Sequence, residues 1–174
     1  MKQRIIALLL VLLMLVSALV ACESGDSGTK GTTAPVTEPL TNNDYASMVK
    51  LDMSSPATVK MEATVKLYVD GDTTHFNVPV SEDFPLGVLK ARYLAINPPE
   101  STGTIEEYGK QASNFTRSKL ESATSIVIES DDNKWNVDST SSRRALVWIW
   151  YKPEGSDTYR NLNIEILQNG LALA

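Results

Sequence analysis

From Val59 onward the chain alternates strictly. Val59, Met61, Ala63, Val65, Leu67 and Val69 take every second place, with polar residues and Tyr68 between them. After "DGDT" the alternation resumes at Thr74, Phe76, Val78 and Val80. Successive side chains of a strand point to opposite faces, so this pattern requires two strands with one buried face each. The Asp-Gly between them supplies a turn, and the pair reads as a hairpin. A chain that begins its ordered part this way must cover the greasy face of a sheet.

The rest of the pattern says how. A third strand is expected from Val88 to Ile96. "TIEEYGKQASNFTRSKLESA", residues 104–123, has helical spacing, with Tyr108, Ala112, Phe115 and Leu120 near one face and Glu106 and Glu107 at its positive end. "SIVIES" (125–130) and "RALVWIWY" (144–151) are strands, separated by a polar loop. "NLNIEILQNG" (161–170) is a short helix that Gly170 ends. Three strands, a helix, two strands and a helix suggest a β-rich α+β fold. The expected form is a five-stranded OB-type barrel, with one helix between strands 3 and 4 and a short helix after strand 5.

Before the barrel the chain changes character. Lys2 and Arg4 precede an apolar run that ends in "LVAC", with Cys22 the only cysteine. A charged start, a greasy middle and a small-residue exit make a secretory signal over residues 1–21. The run is about 17 residues, close to the lower limit for a membrane span, so a retained helix is the competing reading. "LVAC" resembles a bacterial lipobox, which implies cleavage before Cys22 and diacylglycerol on its sulfur. Lipid anchoring to the bacterial cell membrane, outside the cytoplasm, is therefore expected. Residues 22–57 follow as a lipidated cysteine and a flexible tether, rich in Gly, Ser, Thr and Pro as far as residue 44. Residues 45–56 are ambiguous between tether and a short lead-in strand. The domain proper is expected over 58–174.

Composition excludes several chemistries. One cysteine allows no internal disulfide and no thiolate cluster, and one histidine allows no multi-histidine zinc site. A net charge of −5 gives no general attraction to nucleic acid, so phosphate binding would have to be local.

Five stretches carry more than fold. "VDGDT" in the first hairpin, "RYLAINPPES" after the third strand, "EEYGKQASNFT" in the helix, "RALVWIW" in the fifth strand and "NLNIEILQNGLA" near the end occur in one order. Together they resemble the staphylococcal nuclease (thermonuclease) family over residues 65–174. The resemblance implies an OB barrel and calcium-dependent hydrolysis of DNA and RNA, cutting the bond to the 5′-oxygen. It places the calcium ligands at Asp72, Asn97 and the carbonyl of Pro98, with Asp70 backing them. It places phosphate-gripping arginines at Arg92 and Arg144, Arg143 being the alternative if the loop is shifted by one. It places the catalytic carboxylate at Glu100.

These residue types suit that chemistry. Calcium takes carboxylate, amide and carbonyl oxygens. Guanidinium groups grip phosphate oxygens in pairs. A carboxylate orients and deprotonates the attacking water. Two successive prolines, Pro98 and Pro99, would fix the distance from metal ligand to base. Each element alone has a plainer reading: "DGDT" as a turn, Glu100 as a solvated carboxylate, Arg92 as an ion-pair partner at the barrel rim. Tyr93, Trp148 and Trp150 read as core and barrel wall rather than stacking platforms, and His75 as merely exposed.

The match departs from the family at two places. Asn97 stands where the family has aspartate, and an amide brings no charge. The family also continues past "GLALA" with tyrosines that contact substrate and a helix that packs on the barrel, so a C-terminally truncated sequence is expected. Two functions remain: a lipid-anchored, calcium-dependent nuclease acting preferably on single strands, or a non-catalytic OB module binding nucleic acid or another ligand. No protein partner is expected.

Overall fold

The computed structural model describes residues 43–104 and 106–174. The signal segment, Cys22 and the tether up to residue 42 lie outside the described residues.

The barrel is built as its alternation requires. Strands β1 (Lys60–Asp70), β2 (Thr73–Asn77), β3 (Val88–Tyr93), β4 (Ala123–Ser130) and β5 (Ala145–Pro153) hydrogen-bond in the order β3-β2-β1-β4-β5. A parallel pairing of β3 with β5, Ala91 opposite Ala145 and Arg92 opposite Leu146, closes the ring. Closure leaves no edge between these five strands. The expected five-stranded OB-type barrel is what the chain forms, with a two-residue β6 (Arg160–Asn161) added on the outer side of β5. Helix α2 (Gly109–Glu121) joins β3 to β4, and α3 (Leu162–Gln168) follows β6.

The core is the sum of the inward positions. Phe76, Leu89, Tyr93, Ile128, Ile149, Leu162 and Ile166 are fully or almost fully buried. Each such side chain contributes about 1.5–3 kcal/mol relative to exposure. Tyr93 is core, as its place on the strand suggests, and its hydroxyl is hydrogen-bonded to Thr74 Oγ1 at 2.8 Å. Trp150 is also core; its Nε1 donates to Glu129 Oε2 at 2.7 Å. Asn163 on α3 is wholly buried. It accepts from Ile149 N at 2.9 Å and donates to the carbonyls of Leu94 (3.0 Å) and Val147 (3.1 Å). One side chain thus ties α3, β5 and the segment after β3 together. Such a group is costly to bury unsatisfied.

Several local expectations are corrected. The alternation of β1 slips. Irregularities in the β1–β2 register between Val65 and Leu67, and again between Tyr68 and Asp70, each put one extra residue into the strand. The face flips there, so Leu67 is half exposed while Tyr68 packs on the core. β2 stops at Asn77, and Val80 is exposed. β3 stops at Tyr93 rather than Ile96, because Ala95 takes a left-handed backbone (φ 58°) and turns the chain away. That conformation costs a non-glycine residue on the order of 1 kcal/mol or more. Helix α2 starts at Gly109, five residues later than its spacing suggests. Its inward face is Gly109, Ala112, Thr116 and Leu120, and Tyr108 is exposed just before it. Glu106 and Glu107 therefore precede the helix rather than charge its first turn. Residues 45–48 are neither strand nor open tether. They form a helical turn, α1 (Tyr45–Met48), with Ala46 buried and its N–H donating to Gln168 on α3 at 3.3 Å.

Candidate active site

The site forms where the tip of the β1–β2 hairpin meets the elbow after β3. Gly71 makes the meeting possible. A Cβ there would lie 3.1 Å from Pro98 Cγ and 3.0 Å from Ala112 Cβ, so the turn packs against both the elbow and α2 through a bare backbone. Thr116 on α2 donates to the Gly71 carbonyl at 2.6 Å, and Tyr93 N donates to the Asp72 carbonyl at 2.9 Å. The elbow is pinned from its other side: Asn97 and Leu173 exchange backbone hydrogen bonds of 2.8 and 3.1 Å.

On this frame the side chains named from sequence come together. Asp72 is 3 % exposed. Its Oδ2 meets the Arg92 guanidinium through Nη1 and has no hydrogen-bond donor beyond that cation; its Oδ1 accepts from Thr73 Oγ1 at 2.9 Å. Arg92 Nη2 donates to Asn97 Oδ1 at 2.9 Å. Arg144 Nη1 donates to Thr73 Oγ1 at 3.1 Å, while its Nε donates to Asp138 Oδ2 at 2.7 Å. Arg144, Thr73, Asp72, Arg92 and Asn97 therefore form one unbroken chain of polar contacts. Arg143 is not part of it: it is exposed, has a left-handed backbone (φ 48°) and lines a separate cavity with Lys90 and Trp135. Pro98 is buried against the hairpin, and His75, half-buried, pairs with Lys90 across the strands.

The second feature is a pair of carboxyl groups. Asp70 is 7 % exposed. Burial works to raise its pKa, but donors from Ser101 (Oγ at 2.6 Å) and Gly71 (N at 2.7 Å) prevail and hold it below the ordinary aspartate value. Glu100 lies beside it, at the exposed end of the elbow. Hydrogen bonding to Asp70 raises the Glu100 pKa above its ordinary value, aided by burial and by the Asp70 charge, against the pull of Arg92. One carboxyl is thus kept as a fixed anion and its neighbour is made the better proton acceptor. The loop behind Glu100 is closed reciprocally: Glu100 N donates to Glu106 Oε2 at 2.9 Å, and Glu106 N donates to the Glu100 carbonyl at 2.8 Å.

The two arginines feel one another. Burial first, and then the Arg144 charge, pull the Arg92 pKa below its ordinary value, while Glu100, Asp138 and Asp70 pull it back. Like charges held this close are relieved by an anion between them, which is the electrostatic character of a phosphate clamp.

For a cation the donors are hard oxygens: the Asp72 carboxylate, the Asn97 amide and the Pro98 carbonyl. The buried Asp72 Oδ2, whose only partner is itself a cation, fits that role. The set carries a single carboxylate. Among the described residues no group of three or more His, Cys, Asp or Glu is arranged to hold a metal. The donors therefore suit a hard divalent ion held weakly.

Thr73, Ser101, Thr116 and Asp138 were not identified from sequence. Thr73 and Ser101 lie within or beside the "DGDT" and "NPPE" stretches and could have been flagged by adjacency. Asp138 sits six residues before Arg144 in a polar loop without periodicity, and only the folded turn reveals the pairing.

No curated protein matches the chain. Residues 90–174 match the family model described as Staphylococcal nuclease homologue. That stretch contains Arg92, Asn97, Pro98, Glu100 and Arg144, and begins after the hairpin that carries Asp70 and Asp72. The closed five-stranded barrel agrees with this match, which runs from β3 to α3 and beyond and assigns residues 90–174 to the staphylococcal nuclease family.

Proposed function

We propose that the protein is a calcium-dependent phosphodiesterase that hydrolyses DNA or RNA, preferably single-stranded, while anchored outside the cytoplasm by lipid on Cys22. The observation that carries this reading is the polar chain from Arg144 through Thr73, Asp72 and Arg92 to Asn97, with the Asp70–Glu100 pair beside it. Arg92 and Arg144 grip the non-bridging oxygens of the scissile phosphate. Glu100, exposed and raised in proton affinity, orients a water and takes its proton as the water oxygen attacks phosphorus. The bond from phosphorus to the 5′-oxygen breaks, and that oxygen acquires a proton from solvent. Asp72, Asn97 and the Pro98 carbonyl would hold calcium, which when bound would supply positive charge to the site. Arg92, which engages the Asp72 and Asn97 oxygens, exchanges them for phosphate oxygens when substrate binds.

The test is Glu100→Gln, which keeps the shape and removes the base. Turnover should fall by about 10²–10⁴-fold with little change in oligonucleotide affinity. Retained turnover would assign the proton to another group. A second reading has one observation in its favour: Asn97, which leaves the cation site with a single carboxylate. On that reading the barrel binds nucleic acid without cutting it, and a calcium-saturated wild-type protein would bind but release no product.

A further inference from the structure

We infer that the nucleic-acid path continues from the phosphate clamp along the β3–β5 seam to a cavity formed by Lys90, Arg143, Phe84 and Trp135, which holds the next nucleotide of a single strand. This rests on the proposed function and extends it to a part of the barrel that the clamp does not use.

The argument begins with the seam. β3 and β5 run parallel, with Ala91 opposite Ala145 and Arg92 opposite Leu146. Arg92 and Arg144 carry the clamp. Stepping back along β3, or along the residues that lead into β5, goes towards the same end of the seam, because the strands are parallel. Two residues back from Arg92 is Lys90, on the same outward face of β3, displaced by about 6.6 Å along the strand. One residue back from Arg144 is Arg143, turned aside by its left-handed backbone. Both steps end in one cavity of about 360 Å³.

The walls of this cavity suit a base as well as a phosphate. The loop between β4 and β5 runs beside the start of β5: Leu146 N donates to Asn136 O at 2.9 Å, and Val137 pairs with Ala145. That brings Trp135 to the cavity, where it meets Phe84 edge-on, with ring centroids 5.6 Å apart. Aromatic rings beside exposed cations are the means by which single strands are held without sequence preference: rings stack on bases, and cations follow the backbone. The cations here are uncommitted. Neither Lys90 nor Arg143 takes part in an ion pair among the described residues, whereas Arg92, Arg144 and Arg160 all do. Asp83 brings one negative charge to the lining. In a chain with a net charge of −5, two unpaired cations beside an aromatic pair and one strand-step from a phosphate clamp form a local polyanion path.

The experiment uses the full chain and two probes, a fluorescent single-stranded 12-mer of thymidylate and a thymidylate dinucleotide, with binding read by anisotropy and by competition. The Lys90→Ala/Arg143→Ala double variant should bind the 12-mer about tenfold more weakly. The slope of log affinity against log salt should fall by about 1.4, as expected for two lost phosphate contacts on a single strand. Dinucleotide affinity should not change. Quenching of tryptophan fluorescence by the 12-mer should be reduced in Trp135→Phe. If the wild type binds the 12-mer and the double variant matches it in affinity and salt slope, the path is overturned and the clamp stands. If 12-mer and dinucleotide weaken equally, the two residues belong to the clamp and the path is likewise overturned. A wild-type protein that binds neither probe overturns the path together with the proposed function.

Discussion

Gly109 is the place where a single methyl group should disable the site without unfolding the barrel. It is the first residue of α2, and its φ lies outside the left-handed region, so alanine would normally favour the helix by about 1 kcal/mol. A Cβ there, however, would sit 2.0 Å from the Glu100 carbonyl oxygen and 2.5 Å from its carbon. Non-bonded heavy atoms settle at about 3.5 Å, so the elbow must retreat by roughly 1.5 Å. The obstacle is backbone and has no flexible end to swing away. The retreat carries Glu100 with it and strains the reciprocal pair between Glu100 and Glu106. A displacement of about 1 Å in a catalytic group costs on the order of 10²-fold in rate. Gly109→Ala should therefore lower kcat on a single-stranded oligonucleotide by about 100-fold, with KM changed far less and cooperative thermal unfolding retained. Wild-type kcat in a folded Gly109→Ala protein would refute the reasoning, because the elbow could then move without consequence for the chemistry.

Other consequences concern how the domain is held. Asp44 receives both Arg160 Nη1 (2.6 Å) and Nη2 (2.7 Å), and this hydrogen bonding, opposed by burial, lowers its pKa below the ordinary aspartate value of 3.8. The pair's stabilisation is therefore complete above 3.8 and lost as pH falls through the lower folded value. Because Asp44 is substantially exposed, Asp44→Asn should cost no more than about 1 kcal/mol at neutral pH. The gap in melting temperature between wild type and Asp44→Asn should close below pH 3.8; a gap that persists in acid would assign the effect to packing. Cys22→Ala should release the protein from the membrane into the medium. Unchanged retention would point to an uncleaved helix as the anchor.

The barrel was legible because its strands alternate, and alternation is a local property that the finished sheet preserves. What was misread depends on partners. The bulged register of β1 that turns Leu67 outward and Tyr68 inward is set by pairing with β2, which no period-two count can anticipate. The helical spacing of 104–123 is real, but the start of α2 is fixed by the elbow resting on Gly109, a contact between segments nine residues apart. The grouping of the candidate site was legible where neighbours in sequence supply it: "DGDT", and the run from Arg92 to Glu100. The loop geometry that directs Arg144 to Thr73 and Arg143 to the side cavity carries no signature in the sequence. Asp138, the partner that orients Arg144, is one carboxylate among several in a polar loop and carries no local signature.

The proposed grip of one carboxylate, one amide and two guanidiniums on a calcium ion and a phosphate is most directly tested by titrating calcium into the full-length protein with single-stranded DNA, following product release in wild type and Asn97→Asp side by side. The account predicts no cleavage with chelator present, cleavage that saturates at millimolar calcium in the wild type, and saturation at lower calcium in Asn97→Asp. No cleavage at any calcium concentration, or cleavage undiminished by chelator, would contradict it.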